Sequence, residues 1–291
     1  MLFMGSFTLL GALDMELTGG VNFMSFHPDR TIAHSEPSNE DSEFSYYPMG
    51  VGIFRLSGDI NDTMAFKINI ERDNILQNSF SAIFLARTDN FKLEFGPFIG
   101  VCDTFDIPDA GIIGGIEVSL PGIAALSLSG FTTLGTDLDF TSENFREGLE
   151  VYLRLWLPKM VLTASAGTKR LSKSIEEASG TLVRNDDLKR LMLNIDFYSK
   201  GSPVIVSLKG GYQIYSRTYG RGNTETEDKI NSFFAGFDIL IEASKSFKIK
   251  AGGELPFMLS AKEPMTVTPD FLNLSKFTLG FIATLDNNNK W

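Results

Sequence analysis

The sequence predicts an all-β protein, an up-and-down antiparallel transmembrane β-barrel of about 14 strands. Three observations predict it. Apolar and polar residues alternate with a period of two over runs of about 10 to 14 residues. Tight turns alternate with longer polar connections along the chain. The polar face of the strands carries more charge than a dry core tolerates.

The segment 147–169, EGLEVYLRLWLPKMVLTASAGTK, shows the first pattern. Leu149, Val151, Leu153 and Leu155 alternate with Glu150, Tyr152, Arg154 and Trp156. After Pro158 and Lys159, Leu162, Ala164 and Ala166 alternate with Val161, Thr163, Ser165 and Gly167. Successive side chains on a strand point to opposite faces, so this is a hairpin with one apolar and one polar face. A soluble sandwich turns the apolar face inward. A barrel in lipid turns it outward and points charge into a wet lumen.

The same period-two pattern predicts strands near 13–26, 46–58, 62–72, 79–88, 90–101, 111–120, 122–134, 147–157, 159–169, 188–199, 203–216, 229–243, 246–257 and 274–286. Soluble strands average about 5 to 6 residues, whereas a tilted strand crossing a bilayer needs about 9 to 11. Length favours the membrane. Connections after even strands are tight and built from turn residues, as at Gly58–Asn61, Pro121–Gly122 and Pro158–Lys159. Those after odd strands are mostly longer and polar, as in 27–43, 170–186 and 217–228. Short turns at one end and long loops at the other characterise membrane barrels. Strand three sends Met64, Phe66, Ile68 and Ile70 to one face and Lys67, Asn69 and Glu71 to the other. Strands two and four leave the parity open, because Val51 and Ile53 align with Arg55, and Ile83 and Leu85 with Arg87.

Composition narrows the classes. The 291 residues include 43% hydrophobic and 21% charged, which argues against a disordered chain or an α-helical membrane protein. A net charge of −10 argues against a nucleic-acid partner, which wants a basic stripe. The single cysteine, Cys102, excludes an intrachain disulfide framework and multi-cysteine metal sites. Residues 1–12, MLFMGSFTLLGA, resemble the apolar region and cleavage end of a secretory signal peptide, without a basic residue before it. Residues 13–291 are then expected to be a single barrel domain.

The inward face carries the functional expectation. Lumen-lining cations are Arg55, Lys67, Lys92, Arg154, Arg190, Lys209, Lys248 and Lys250. The acids are Glu16, Glu94, Glu117, Glu150, Asp196, Asp238 and Glu254. A round barrel of about 14 strands is roughly 28 Å across the backbone, leaving a bore on the order of 10 to 15 Å. That suits hydrated ions and small solutes.

Other features read as ordinary structure. His27 and His34 lie with Asp29 and Glu36 in the first long loop, where a solvated acidic tip outweighs a metal site. Neither sits in a strand pattern that would support hydrolysis, so no enzyme and no cofactor are expected. "AGTKR" (166–170) lacks phosphate-loop spacing, and "GIIGG" (111–115) opens a strand rather than a helix. The acidic outer loops suit cation attraction or adhesion to host molecules, and 101–110, with three aspartates, suits a constriction.

The last strand, KFTLGFIATL, resembles the C-terminal assembly signal of outer-membrane barrels, with Thr278, Gly280, Ala283 and Leu285 in the signal positions. Over its whole length the chain resembles Gram-negative outer-membrane β-barrels. The resemblance implies outer-membrane lipid and the outer-membrane assembly machinery as partners. It implies a porin-like channel for passive diffusion of small hydrophilic solutes. The alternatives are a transporter of hydrophobic compounds, resembling fatty-acid transporters, or a closed structural barrel displaying adhesive loops. With the first strand expected directly after residue 12, no chain is expected for the N-terminal hatch that the resemblance to fatty-acid transporters would imply.

Overall fold

The computed structural model describes residues 13–24, 47–73, 75–101, 108–134, 144–177, 180–198, 201–221, 224–261 and 275–285. They form fourteen strands: β1 (Leu13–Met24), β2 (Tyr47–Asn61), β3 (Met64–Asp73), β4 (Gln77–Arg87), β5 (Phe91–Val101), β6 (Pro108–Leu120) and β7 (Ala124–Thr133). There follow β8 (Phe145–Leu157), β9 (Met160–Glu177), β10 (Gly180–Phe197), β11 (Val204–Arg221), β12 (Thr224–Ser244), β13 (Phe247–Ala261) and β14 (Lys276–Leu285). Each strand pairs with its sequence neighbours, and β1 pairs with β14, closing the barrel. All pairings are antiparallel, with Leu13 opposite Leu285 and Asn22 opposite Lys276 at the seam. Closure leaves no sheet edge unpaired, which a sheet in hydrocarbon requires.

The outer face is apolar. Phe95 (56% exposed), Leu126 (55%) and Leu208 (51%) point away from the barrel, whereas their strand neighbours Glu94 and Ser127 face inward. In water such a continuous belt would be an aggregation surface; in lipid it is the solvated face. Neighbouring strands lock aromatic rings across it, as in Phe84–Phe95 (6.0 Å) and Phe247–Phe281 (5.7 Å).

Register settles the two open strands. Glu16 lies opposite Arg55, so Val51, Ile53 and Arg55 share the inner face and Phe54 and Leu56 the outer. On β4, Phe80 and Phe84 are half exposed on the outside, while Ile83 is buried inside at 4%. In both strands a few aliphatics sit in the lumen, which blurs the alternation.

The strand boundaries need a larger correction. The expected loop 170–186 is mostly strand: β9 continues to Glu177 and β10 begins at Gly180. The expected loop 217–228 is likewise strand, β11 reaching Arg221 and β12 starting at Thr224. Beyond the lipid both faces of a strand are polar, so the hydrophobic signal vanishes although the ladder continues. The end of the barrel holding the connections after odd strands (hereafter the loop end) is therefore built up by the extended hairpins β9–β10 and β11–β12. The connection between β3 and β4 is short, spanning only 74–76.

Candidate functional site: the charged lumen

Alternation and register carry most of the charged residues of the strands to one inner face, where they pair with residues of neighbouring and nearby strands. At the seam Glu16 accepts from Arg55 of β2 (2.8 Å) and Lys250 of β13 (3.4 Å). Arg55 also donates to Asn69, and Asn69 to Ser81, carrying the chain of contacts to β4. Lys67 and Lys92 both lie 3.4 Å from Glu94. On the other wall, Glu254 meets Arg190 (2.8 Å) and Lys209 (2.9 Å), and Lys209 also reaches Asp238 (2.9 Å). Lys248 pairs with Glu242 near the turn end. Asp196 accepts from Asn194 and Ser207.

Three inward residues depart from this pairing. Glu117 accepts a hydrogen bond from the Tyr152 hydroxyl. The Arg154 guanidinium stands 5.1 Å from the Tyr152 ring centre and 5.8 Å from that of Trp156. No ion pair involves Glu150 or Arg154 among the described residues. Glu150 is exposed to the lumen.

A cavity of about 440 Å³ occupies the lumen, lined from nearly every strand. Lys67, Glu94, Glu150, Arg190 and Glu254 face it, and so do Asp73, Lys169 and Lys276. Its wall is partly apolar, through Ile83, Ile113, Phe131, Leu188 and Met192.

Toward the loop end the lumen narrows, which corrects the expectation of a round, open bore. Lys169 on β9 donates to Asp73 on β3 (2.5 Å) and lies 3.8 Å from Glu71. Strands β3 and β9 are six places apart in a ring of fourteen, nearly opposite each other. Arg146 on β8 reaches Asp109 on β6 (3.0 Å) and the Asn78 carbonyl on β4 (3.0 Å), and Lys173 on β9 also donates to Asp109. A second cluster joins Asp186 to Arg184 (2.8 Å), Arg217 (2.5 Å) and the Tyr215 hydroxyl (3.2 Å). Both clusters are almost wholly removed from water, with Asp109 at 4% and Asp186 at 1% exposed. Each acid holds two cations, the pairing a buried charge requires.

Sequence reasoning missed this layer. Asp73 and Lys169 continue the parity of Lys67, Asn69, Glu71 and of Ser165, Gly167 by one step, and that parity was the available signal. Asp109 lies in the segment expected to constrict the mouth; it instead clamps wall strands, and 102–107 lie outside the described residues. So do the candidate signal peptide 1–12, His27, His34, Cys102 and the first acidic loop.

At the C-terminus Thr278 and Gly280 face the lumen, opposite Gly252 and Lys250, and Ala283 and Leu285 face outward. A closed ring of fourteen antiparallel strands, greasy outside and charged inside, has one environment that suits both faces. The chain is a β-barrel of the outer-membrane type. No protein-family model and no curated protein matches it. Among solved structures it is similar to a loop-L8 deletion mutant of OmpT, an outer membrane protein of Vibrio cholerae. That likeness has 8% identity and a TM-score of 0.44, covering 95% of this chain and 100% of that one. It is also similar to an outer membrane channel from Pseudomonas putida F1, with 9% identity and a TM-score of 0.44, covering 96% and 97%. A porin structure refined at 1.8 Å has 9% identity and a TM-score of 0.40, covering 94% and 99%. The assignment of the barrel rests on its closed strand order and its two faces, not on these likenesses.

Proposed function

We propose that this barrel is an outer-membrane channel that passes small hydrophilic solutes and ions passively through its charged lumen, with no cofactor and no chemical step. The observation that carries the reading is the inner face itself: charged side chains on most strands surround a cavity of about 440 Å³. Several are partly exposed within the barrel, as Arg55 (39%), Lys92 (36%) and Lys250 (37%) are. Charge of both signs in contact with water suits polar cargo and disfavours a dry, oily conduit. The narrowing at the loop end favours small solutes.

Purified, refolded protein in planar bilayers tests this. The expected result is steady ohmic steps with a mild cation preference that shrinks at high salt, as the net acidic charge is screened. One observation favours a second reading, a closed structural barrel: the buried clusters around Asp109 and Asp186 and the Asp73–Lys169 contact fill much of the loop end. Well-folded protein that gives no steps, and vesicles that stay tight to small sugars and salts alike, would establish that reading instead.

A further inference from the structure

We propose that Lys169, Asp73 and Glu71 form a mixed-charge crossbar that sets the ion selectivity of the lumen. The inference rests on the channel reading and names the residues that decide what passes.

The geometry is unusual for an ion pair inside a barrel. The other inward pairs join strands that are neighbours or a few places apart, whereas this one joins β3 to β9. In a round barrel those walls would stand roughly 25 Å apart, and a lysine and an aspartate together reach only about 10 Å. The two walls are therefore drawn together at this level, and the contact divides the cross-section in two.

On the loop-end side of the crossbar, the lobe enclosed by β3 to β9 is packed with buried charge. Arg146 lies against Gly100 of β5 and bonds to Asn78 O of β4 and Asp109 of β6, and Lys173 completes the cluster. The other lobe, along β10 to β14 and β1, holds the buried Asp186 cluster against β10 and β11, so passage at this level runs along β12 to β14 and β1. Arg190, Glu254, Lys276 and Asn22 of this lobe line the cavity together with Asp73 and Lys169.

The crossbar is also held in place. The Asp73 oxygen that does not face Lys169 accepts the backbone N–H groups of Ile75 (2.7 Å) and Leu76 (2.6 Å). Ile75 is wholly buried and itself lines the cavity. With its acid fixed by its own backbone, the lysine is the adjustable half. Asp73, Glu71 and the neighbouring Glu150 outnumber Lys169 and Lys276 at this level, so a passing cation is favoured and an anion repelled.

Three variants of the full chain in planar bilayers test this, each first shown to be folded by circular dichroism and protease resistance. Lys169→Gln is expected to raise unit conductance about twofold or more and move the reversal potential toward cations, because two carboxylates are freed. Asp73→Asn is expected to move it toward anions. The exchange Asp73→Lys with Lys169→Asp keeps the net charge and is expected to return near wild-type selectivity. A silent wild type with a conducting Lys169→Gln would support the crossbar as the barrier. A conducting wild type whose selectivity and conductance none of these changes shift would overturn the crossbar and leave the channel standing. Silence throughout would overturn both.

Discussion

Lys250 on β13 reaches past β14 to Glu16 on β1, its ammonium 3.4 Å from a carboxylate 234 positions away in the chain. What lies between them is Gly280, opposite both Lys250 and Thr18 on the inner face. A side chain there would stand in the path of the lysine. A Cβ on Gly280 would also fall 2.7 Å from the Thr18 backbone, closer than real Cβ atoms come.

Gly280→Ala is therefore expected to destabilise the barrel by about 1 to 3 kcal/mol, the cost of overpacking where the backbone must give way. Urea titration of the refolded protein in lipid vesicles measures it. Substituting Gly50, where a Cβ would meet nothing within 4 Å, is the control and is expected to cost much less.

How far the sequence carries is visible at this seam and at the opposite wall. The pairing of β1 with β14 was implied by the closed up-and-down barrel that the strand pattern predicts. The lipid-facing register of Leu149, Leu153, Leu191 and Leu193 was legible because lipid favours apolar side chains on alternate positions. The loop end was not legible, since a strand above the membrane has no apolar face to betray it. Which charges meet across the lumen was also beyond reach: Lys169 and Asp73 are 96 positions apart, and only the folded wall brings them together.

The buried cluster at Asp109 makes a sharp energetic statement. Asp109→Asn leaves Arg146 (1% exposed) and Lys173 (0%) without their counter-charge. Removing one partner from a buried charge network costs about 3 to 5 kcal/mol. Glu242→Gln breaks the exposed pair with Lys248 and is expected to cost less than about 1 kcal/mol. Unfolding midpoints of the two variants, measured side by side, check the contrast; equal losses would contradict the buried description.

Orientation follows from the two ends. Turns after even strands lie with residues 13 and 285, and the extended hairpins lie at the other end. Epitope tags inserted after Glu40, Glu177 or Asn223 are expected to bind antibody on intact cells, and tags at Pro158 or Ser202 only after the outer membrane is opened. Equal labelling of both groups would reverse or dissolve this orientation.

The register on β8 supports the most direct test of which face meets lipid. Leu153 is 44% exposed on the outer face and pairs with Leu126 and Ala164 of the adjoining strands. Arg154 points inward, over Tyr152 and Trp156. Leu153→Arg is expected to destabilise the barrel by about 2 to 4 kcal/mol, the cost of a cation on the lipid face near the midplane. Leu153→Phe keeps an apolar side chain in lipid and is expected to be nearly neutral. Arg154→Ser loses only ring contacts of about 0.5 to 1 kcal/mol, while removing a lumenal cation and so shifting ion preference toward cations. Unfolding in vesicles reads the first two effects, and reversal potentials read the third. A tolerated arginine at 153 together with an unfolded Arg154→Ser would mean that the charged face is packed core and the leucine face meets water.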